Sequence, residues 1–172
     1  MEIIQIVGYK NSGKTTIASK IINILSSNNR VASLKHHGHG GIPLRFKQTD
    51  SEKHKQAGAL VAGVEGEGVL QLSMVEWDID QMIVIYELMD IEILVIEGYK
   101  YTSFPKVVLI NKEEDLALLE SVDHIRAVVT SVPLEKESGS YIIFNSDELD
   151  EFYEWIVTFG GYIMCSKPAC RC

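Results

Sequence analysis

A three-layer α/β/α fold around a predominantly parallel sheet is the architecture this sequence predicts. Short runs of β-branched residues alternate with segments of helical periodicity, and that alternation implies crossover units. The stretch "IEILVIE" at residues 91–97 is apolar almost throughout, as a strand covered on both faces must be. A turn beginning at Gly8 joins the first apolar run to the first periodic one.

Residues 3–7 are the first expected strand, and residues 15–25 a helix with Ile17, Ile21, Ile22 and Leu25 on one side. Residues 31–35 read as a second strand. "HHGHGGIPLRFKQ" reads as a loop, and "TDSEKHKQAGA" as a short helix whose start takes an oxygen from Thr49 or Asp50. Residues 60–64 and 69–73 form a local antiparallel hairpin about Gly66–Gly68. Asp78 caps a helix running to about residue 89, and residues 91–97 follow as the central strand. Strands at 107–110, 124–130 and 141–144 complete the sheet, with a helix over 113–120 between the first two. Gly160 and Gly161 are expected to stop a last helix over 147–159. The expected organisation is one domain over residues 1–160 and a mobile cysteine-bearing tail over 161–172.

With 172 residues, 46% of them hydrophobic and 23% charged, the chain can bury a substantial core. A formal net charge of -8 argues against broad binding to nucleic acid or to an anionic membrane, so any anion site must be local. Glu87, Asp90 and Glu92 interrupt the longest apolar stretch, and no secretory signal is visible. A cytoplasmic location is the expectation. Cys165, Cys170 and Cys172 all fall in the tail, where "CSKPACRC" matches no standard zinc spacing.

"GYKNSGKT", Gly8 to Thr15, is glycine, four residues, glycine, lysine and threonine, set between strand and helix. This is the phosphate-loop pattern of P-loop NTPase-like folds. Its glycines let backbone N–H groups turn inward, the helix start adds positive partial charge, Lys14 reaches the outer phosphates and Thr15 offers a hydroxyl to Mg²⁺. Such loops work with an acid at the tip of a neighbouring buried strand, and "ILVIEG" supplies Glu97 on the magnesium side.

"KHHGHGG" sets Lys35, His36, His37 and His39 at the carboxyl end of the second strand, where open α/β sheets bind ligands. Contact with a nucleotide or second anion, metal ligation and plain loop polarity are the three readings. Asp50 serves either as a helix cap or through a magnesium-bound water. "INKEED" resembles the Asn-Lys-x-Asp signature that reads guanine, with Glu114 in the fourth position and Asp115 one residue late, a push toward GTP. No general base can be named. A small-molecule kinase is disfavoured because Arg30, Arg45, Arg126 and Arg171 never cluster into a lid. A metal-insertion GTPase is the other alternative, suggested by "HHGH" and "CRC".

Together "GYKNSGKTT", "SLKHHGHG", "TDSEKHKQAGA", "LVIEGYK" and "FPKVVLI" resemble the successive blocks of the molybdopterin-guanine dinucleotide biosynthesis adaptor proteins, the MobB family. The resemblance runs from Ile3 to about Trp155. It implies a GTP-binding protein with weak GTPase activity that assists attachment of GMP to molybdopterin, beside the guanylyltransferase and molybdopterin-handling proteins, as a homodimer. Carried over by position, Gly8, Asn11, Ser12, Gly13, Lys14, Thr15 and Thr16 cradle phosphates and Glu97 stands on the magnesium side. Lys100 and Lys106 are expected to line the same face. The cysteine tail is outside the family pattern.

Overall fold

The computed structural model describes residues 1–38, 50–134 and 141–163, with side chains to residue 158. The chain runs β1 (Glu2–Val7), α1 (Lys14–Leu25), β2 (Val31–Lys35), α2 (Asp50–Gln56), β3 (Val61–Gly66), β4 (Val69–Met74) and α3 (Ile79–Leu88). It continues through β5 (Ile93–Glu97), β6 (Lys106–Ile110), a 3₁₀ turn (Glu113–Leu116), α4 (Ala117–Ser121), β7 (Ile125–Thr130), β8 (Ile142–Asn145) and α5 (Leu149–Ile163). Two compact units result. The first joins Met1–Gly38 to the described residues from Tyr86 onward, and the second holds the described residues between them.

In the first unit, β2-β5-β1-β6-β7-β8 form one sheet, and every neighbouring pair in it is parallel. Both faces are covered, which explains why these strands read as apolar runs without alternation. Ile4 and Ile6 of β1 pack with Ile17, Ile21 and Leu25 of α1 and with Phe152 and Ile156 of α5. Val7, Val108 and Ile110, of opposite parity, pack with Leu118 of α4. The expected α/β architecture of a mostly parallel sheet is therefore present, and the sheet order puts β1 and its loop between β5 and β6.

In the second unit β3 and β4 pair antiparallel, as expected. Lys55 of α2 donates to Ser73 at 2.8 Å and pairs with Glu52 at 2.8 Å. The hairpin leaves Val64, Val69, Leu70 and Leu72 exposed.

Some boundaries differ from expectation. β5 starts at Ile93, because the preceding residues belong to the corner after α3. There Asp90, at φ 55°, occupies the left-handed position after the helix, Ile91 N–H bonds the Tyr86 carbonyl at 3.1 Å, and Asp90 N–H bonds that of Glu87 at 3.0 Å. At the other end of α3 the expected cap is a reciprocal one: Asp78 accepts from Gln81 N–H at 2.7 Å, and Asp78 N–H donates to Gln81 Oε1 at 3.3 Å. The helix expected over 113–120 begins as the 3₁₀ turn. Gly160 and Gly161 lie inside α5 instead of ending it. A glycine stops a helix only where the backbone turns left-handed; in helical conformation it costs about 1 kcal/mol relative to alanine.

Among the described residues, no helix is long and apolar enough to cross a membrane.

Candidate functional site

The glycine-rich loop leaves β1 at Gly8, where space itself selects the residue. A Cβ there would meet Ser12 Oγ at 2.4 Å and Leu109 Cβ at 3.2 Å. Further on, Asn11 at φ 62° and Gly13 at φ 86° take left-handed conformations that bend the chain onto α1. α1 starts with no side-chain cap and no acid in its first turn, so its leading N–H groups are left for an anion. Lys14 curls back over this opening, donating to the Tyr9 carbonyl and lying 3.4 Å from Ser12 Oγ. Burial pushes its ammonium below the usual 10.5, opposed by the Glu97 carboxylate and reinforced by Lys100 and Lys35.

Thr15, in the first turn of α1, meets Glu97 at the end of β5. The Thr15 hydroxyl lies 3.1 and 3.0 Å from the two Glu97 carboxylate oxygens, and Lys35 Nζ lies 2.9 Å from that hydroxyl and 3.0 Å from Glu97 Oε1. The strand register explains the meeting: Lys35 and Glu97 are paired positions of β2 and β5, and Ile6 faces Glu97 from β1. A hydroxyl beside a carboxylate is a donor set for a hard cation, so these residues fit Mg²⁺. The Lys35 side chain is 58% exposed, against 12% for Glu97, and is therefore able to yield that position.

The loop after β5 is held from beneath by Gln5, a fully buried polar residue that sequence reasoning missed. Gln5 Nε2 donates to the Gly98 carbonyl at 2.7 Å and to that of Tyr99, and Gln5 Oε1 accepts from Thr102 at 3.2 Å. A lone amide in the otherwise apolar "IIQIV" was its signal. Gly98, at φ 96°, lets β5 turn closely past His36, whose Cβ would lie 3.0 Å from an added Cβ. The His36 ring stacks on Tyr99 with centroids 4.4 Å apart.

Lys106 departs from expectation. It is fully buried at the start of β6, donating to the Thr102 carbonyl, to Phe104 O at 3.1 Å and to Asp123 Oδ1 at 2.9 Å. A side chain so occupied cannot line the nucleotide face; it ties down the loop that carries Tyr99 and Lys100. Lys100 itself places its ammonium 3.9 Å from the centre of the Tyr9 ring. Its pKa is lowered by burial and raised in part by Asp115. Thr16 and His37 are exposed, each beside a residue already placed at the site. Asp50 belongs to the second unit, where its carboxylate pairs with Lys53 at 2.7 Å. His39 and the three cysteines lie outside the described residues. Among the described residues, no three of His, Cys, Asp and Glu form a metal-binding group.

On the β6 side of the loop opens a cleft of about 500 Å³, bounded by residues 9–12 and by Asn111, Lys112, Glu114 and Asp115. The parallel sheet, the loop at the tip of its inner strand, the lysine and threonine that open α1 and the acid on the adjacent strand define a protein of the nucleotide-binding P-loop NTPase-like class.

Within that class the family can be stated. The family described as Molybdopterin guanine dinucleotide synthesis protein B matches residues 3–131, and the chain belongs to this MobB family. A probable molybdopterin-guanine dinucleotide biosynthesis adapter protein of Bacillus subtilis (strain 168) is 38% identical over 149 residues, covering 85% of this chain and 86% of the relative. The molybdopterin-guanine dinucleotide biosynthesis adapter protein of Haemophilus influenzae is 27% identical, with 92% of each chain covered. Among solved structures, Bacillus subtilis MobB superposes with a TM-score of 0.76 at 32% identity, over 97% of this chain and 100% of the other. A MobB homolog from Bacillus stearothermophilus gives 0.72 at 34% identity, over 92% and 97%.

Proposed function

We propose that this protein is a GTP-binding adaptor of molybdopterin-guanine dinucleotide biosynthesis, with weak GTPase activity, that assists attachment of GMP to molybdopterin. One observation carries the nucleotide half of this reading: Thr15 and Glu97 stand in contact at the mouth of the Gly8–Thr15 loop, with Lys35 against both. In it, Gly8, Asn11, Ser12, Gly13, Lys14, Thr15 and Thr16 hold the phosphates, and Lys35, His37 and Lys100 add positive charge or hydrogen bonds beside them. Thr15 and Glu97 hold Mg²⁺. When bound, the ion neutralises charge on the phosphate oxygens.

The only carboxylate described at the phosphate end, Glu97, is engaged by Thr15 and Lys35 and is thus poorly disposed to act as a base. Hydrolysis is accordingly slow, and the nucleotide is held for a partner's chemistry. The adaptor half rests on family membership and on the names its relatives carry. The partners are the guanylyltransferase and the molybdopterin-handling proteins of the cytoplasm, and the working form is a homodimer.

Calorimetric titration with GTP and with ATP, each with Mg²⁺, tests the reading. Tight GTP binding and weak ATP binding are expected; a clear preference for ATP refutes it.

A further inference from the structure

In the β6-side cleft Asn111, Lys112, Glu114 and Asp115 have no part in holding the phosphates, whereas Asn11 and Ser12, which also border it, belong to the loop that does. Sheet order divides the site in two: β5 and β2 bring Glu97 and Lys35 to one flank of β1, and β6 brings Asn111 to Asp115 to the other. A nucleotide whose outer phosphates meet Thr15 and Glu97 must lead its ribose and base away from that flank. The β6 cleft, bordered by residues 9–12 of the same loop and about 500 Å³ in volume, is the space open to them.

Two acids border this cleft, and the Asn-Lys-x-Asp pattern would select Glu114 by position. The structure selects the other. The 3₁₀ turn over Glu113–Leu116 advances three residues per turn and carries Asp115 inward, leaving it 3% exposed. Asp115 Oδ2 accepts the backbone N–H of Asn111 at 3.1 Å, which fixes the carboxylate against the start of its own loop. Glu114 is turned outward with its side chain 77% exposed, and it approaches Lys112 only at 3.8 Å.

We infer that Asp115, held in place by Asn111, is the residue that reads guanine. An ionised carboxylate only accepts hydrogen bonds, and it has room for about four. One is filled by Asn111. Guanine presents two donors side by side, its ring N1–H and its 2-amino group, which match a carboxylate edge; adenine presents a bare ring nitrogen there and meets the charge with an acceptor. A buried carboxylate facing the wrong edge is left desolvated and unpaired, so it rejects as well as selects.

This inference rests on the proposed GTP reading, and one substitution separates the two. Asp115→Asn keeps an oxygen for the Asn111 N–H but now offers one acceptor and one donor. That set matches xanthine, which carries an oxygen where guanine carries the amino group. Wild type, Asp115→Asn and Glu114→Gln are titrated calorimetrically with GTP and with xanthosine triphosphate, in Mg²⁺. Wild type is expected to prefer GTP by about 100-fold or more, Asp115→Asn to reverse that preference, and Glu114→Gln to retain it. New affinity for xanthosine triphosphate cannot come from misfolding. A wild type that binds GTP together with an Asp115→Asn variant of unchanged preference overturns this inference and leaves the GTP reading standing; so does a reversal produced by Glu114→Gln. A wild type that binds no GTP removes both.

Discussion

The Lys35 ammonium lies 3.0 Å from Glu97 Oε1 and 2.9 Å from the Thr15 hydroxyl, so a side-chain cation occupies the junction that fits a metal ion. Attraction of the ion for Glu97 is thereby set against an ion pair already formed. Glu97→Gln should weaken the Mg²⁺ dependence of GTP binding by about 10- to 100-fold with little effect on folding. Lys35→Met removes the competitor; since a pair this exposed is worth about 0.2–1 kcal/mol, Mg²⁺ half-saturation should fall no more than about fivefold. Magnesium titrations at fixed GTP measure both, and an unchanged Mg²⁺ dependence in Glu97→Gln would move the role to another acid.

Lys14→Ala should abolish GTP binding while leaving the circular dichroism spectrum and melting curve close to wild type. Its charge also predicts a pH dependence. The free protein holds the Lys14 pKa below 10.5, mainly through burial, while phosphate binding favours the charged form. Affinity is thus full below the lowered pKa and declines as pH rises through it toward 10.5. Titrations at stepped pH should show this decline, and a flat profile across the alkaline range would count against direct phosphate contact.

Gln5→Leu should cost about 1–3 kcal/mol, because the Gly98 and Tyr99 carbonyls lose their buried donor. It should also loosen the loop that follows Glu97. Chemical denaturation reads the first effect, and hydrogen exchange over residues 97–102 the second; wild-type protection there would show that Gln5 does not anchor the loop.

Asp123→Asn tests the buried lysine beneath that loop. The Lys106 hydrogen bond, and then that of His124, holds the Asp123 carboxyl below its usual 3.8. A depressed carboxylate stabilises the fold above 3.8, and the contribution disappears as pH falls through the lower native value. Because the carboxylate is exposed, the loss at neutral pH should be about 1 kcal/mol, and the variant and wild type should converge in acid. Denaturation midpoints at neutral and at low pH measure the difference.

The sheet was largely legible in advance. Buried parallel strands leave continuous apolar runs such as "ILVIE", and the loop between β1 and α1 has a spacing that its backbone geometry demands. What escaped depends on contacts and turns that only the folded chain shows. Lys106 reads as one more basic residue until Asp123 and the Thr102 carbonyl are brought to it. Gln5 looks like an oddity in a strand until residues 98–102 fold over it. The choice between Glu114 and Asp115 turned on a 3₁₀ turn, where a helical reading would rotate each side chain differently. The end of α5 escaped for a simpler reason: glycine permits a stop without compelling one.

The contacts that define the phosphate end are long-range. Thr15 and Glu97 are 82 residues apart, and Gln5 and Gly98 are 93 apart. The Gly8–Thr15 loop is local, but its junction with Glu97 exists only once the two halves of the chain have met, so on the proposed reading GTP finds the complete site only in the closed fold. The nucleotide should therefore act as a late clasp, invisible to the refolding rate yet able to slow unfolding, and adding about 2.7 kcal/mol of stability when present at 100 times its dissociation constant.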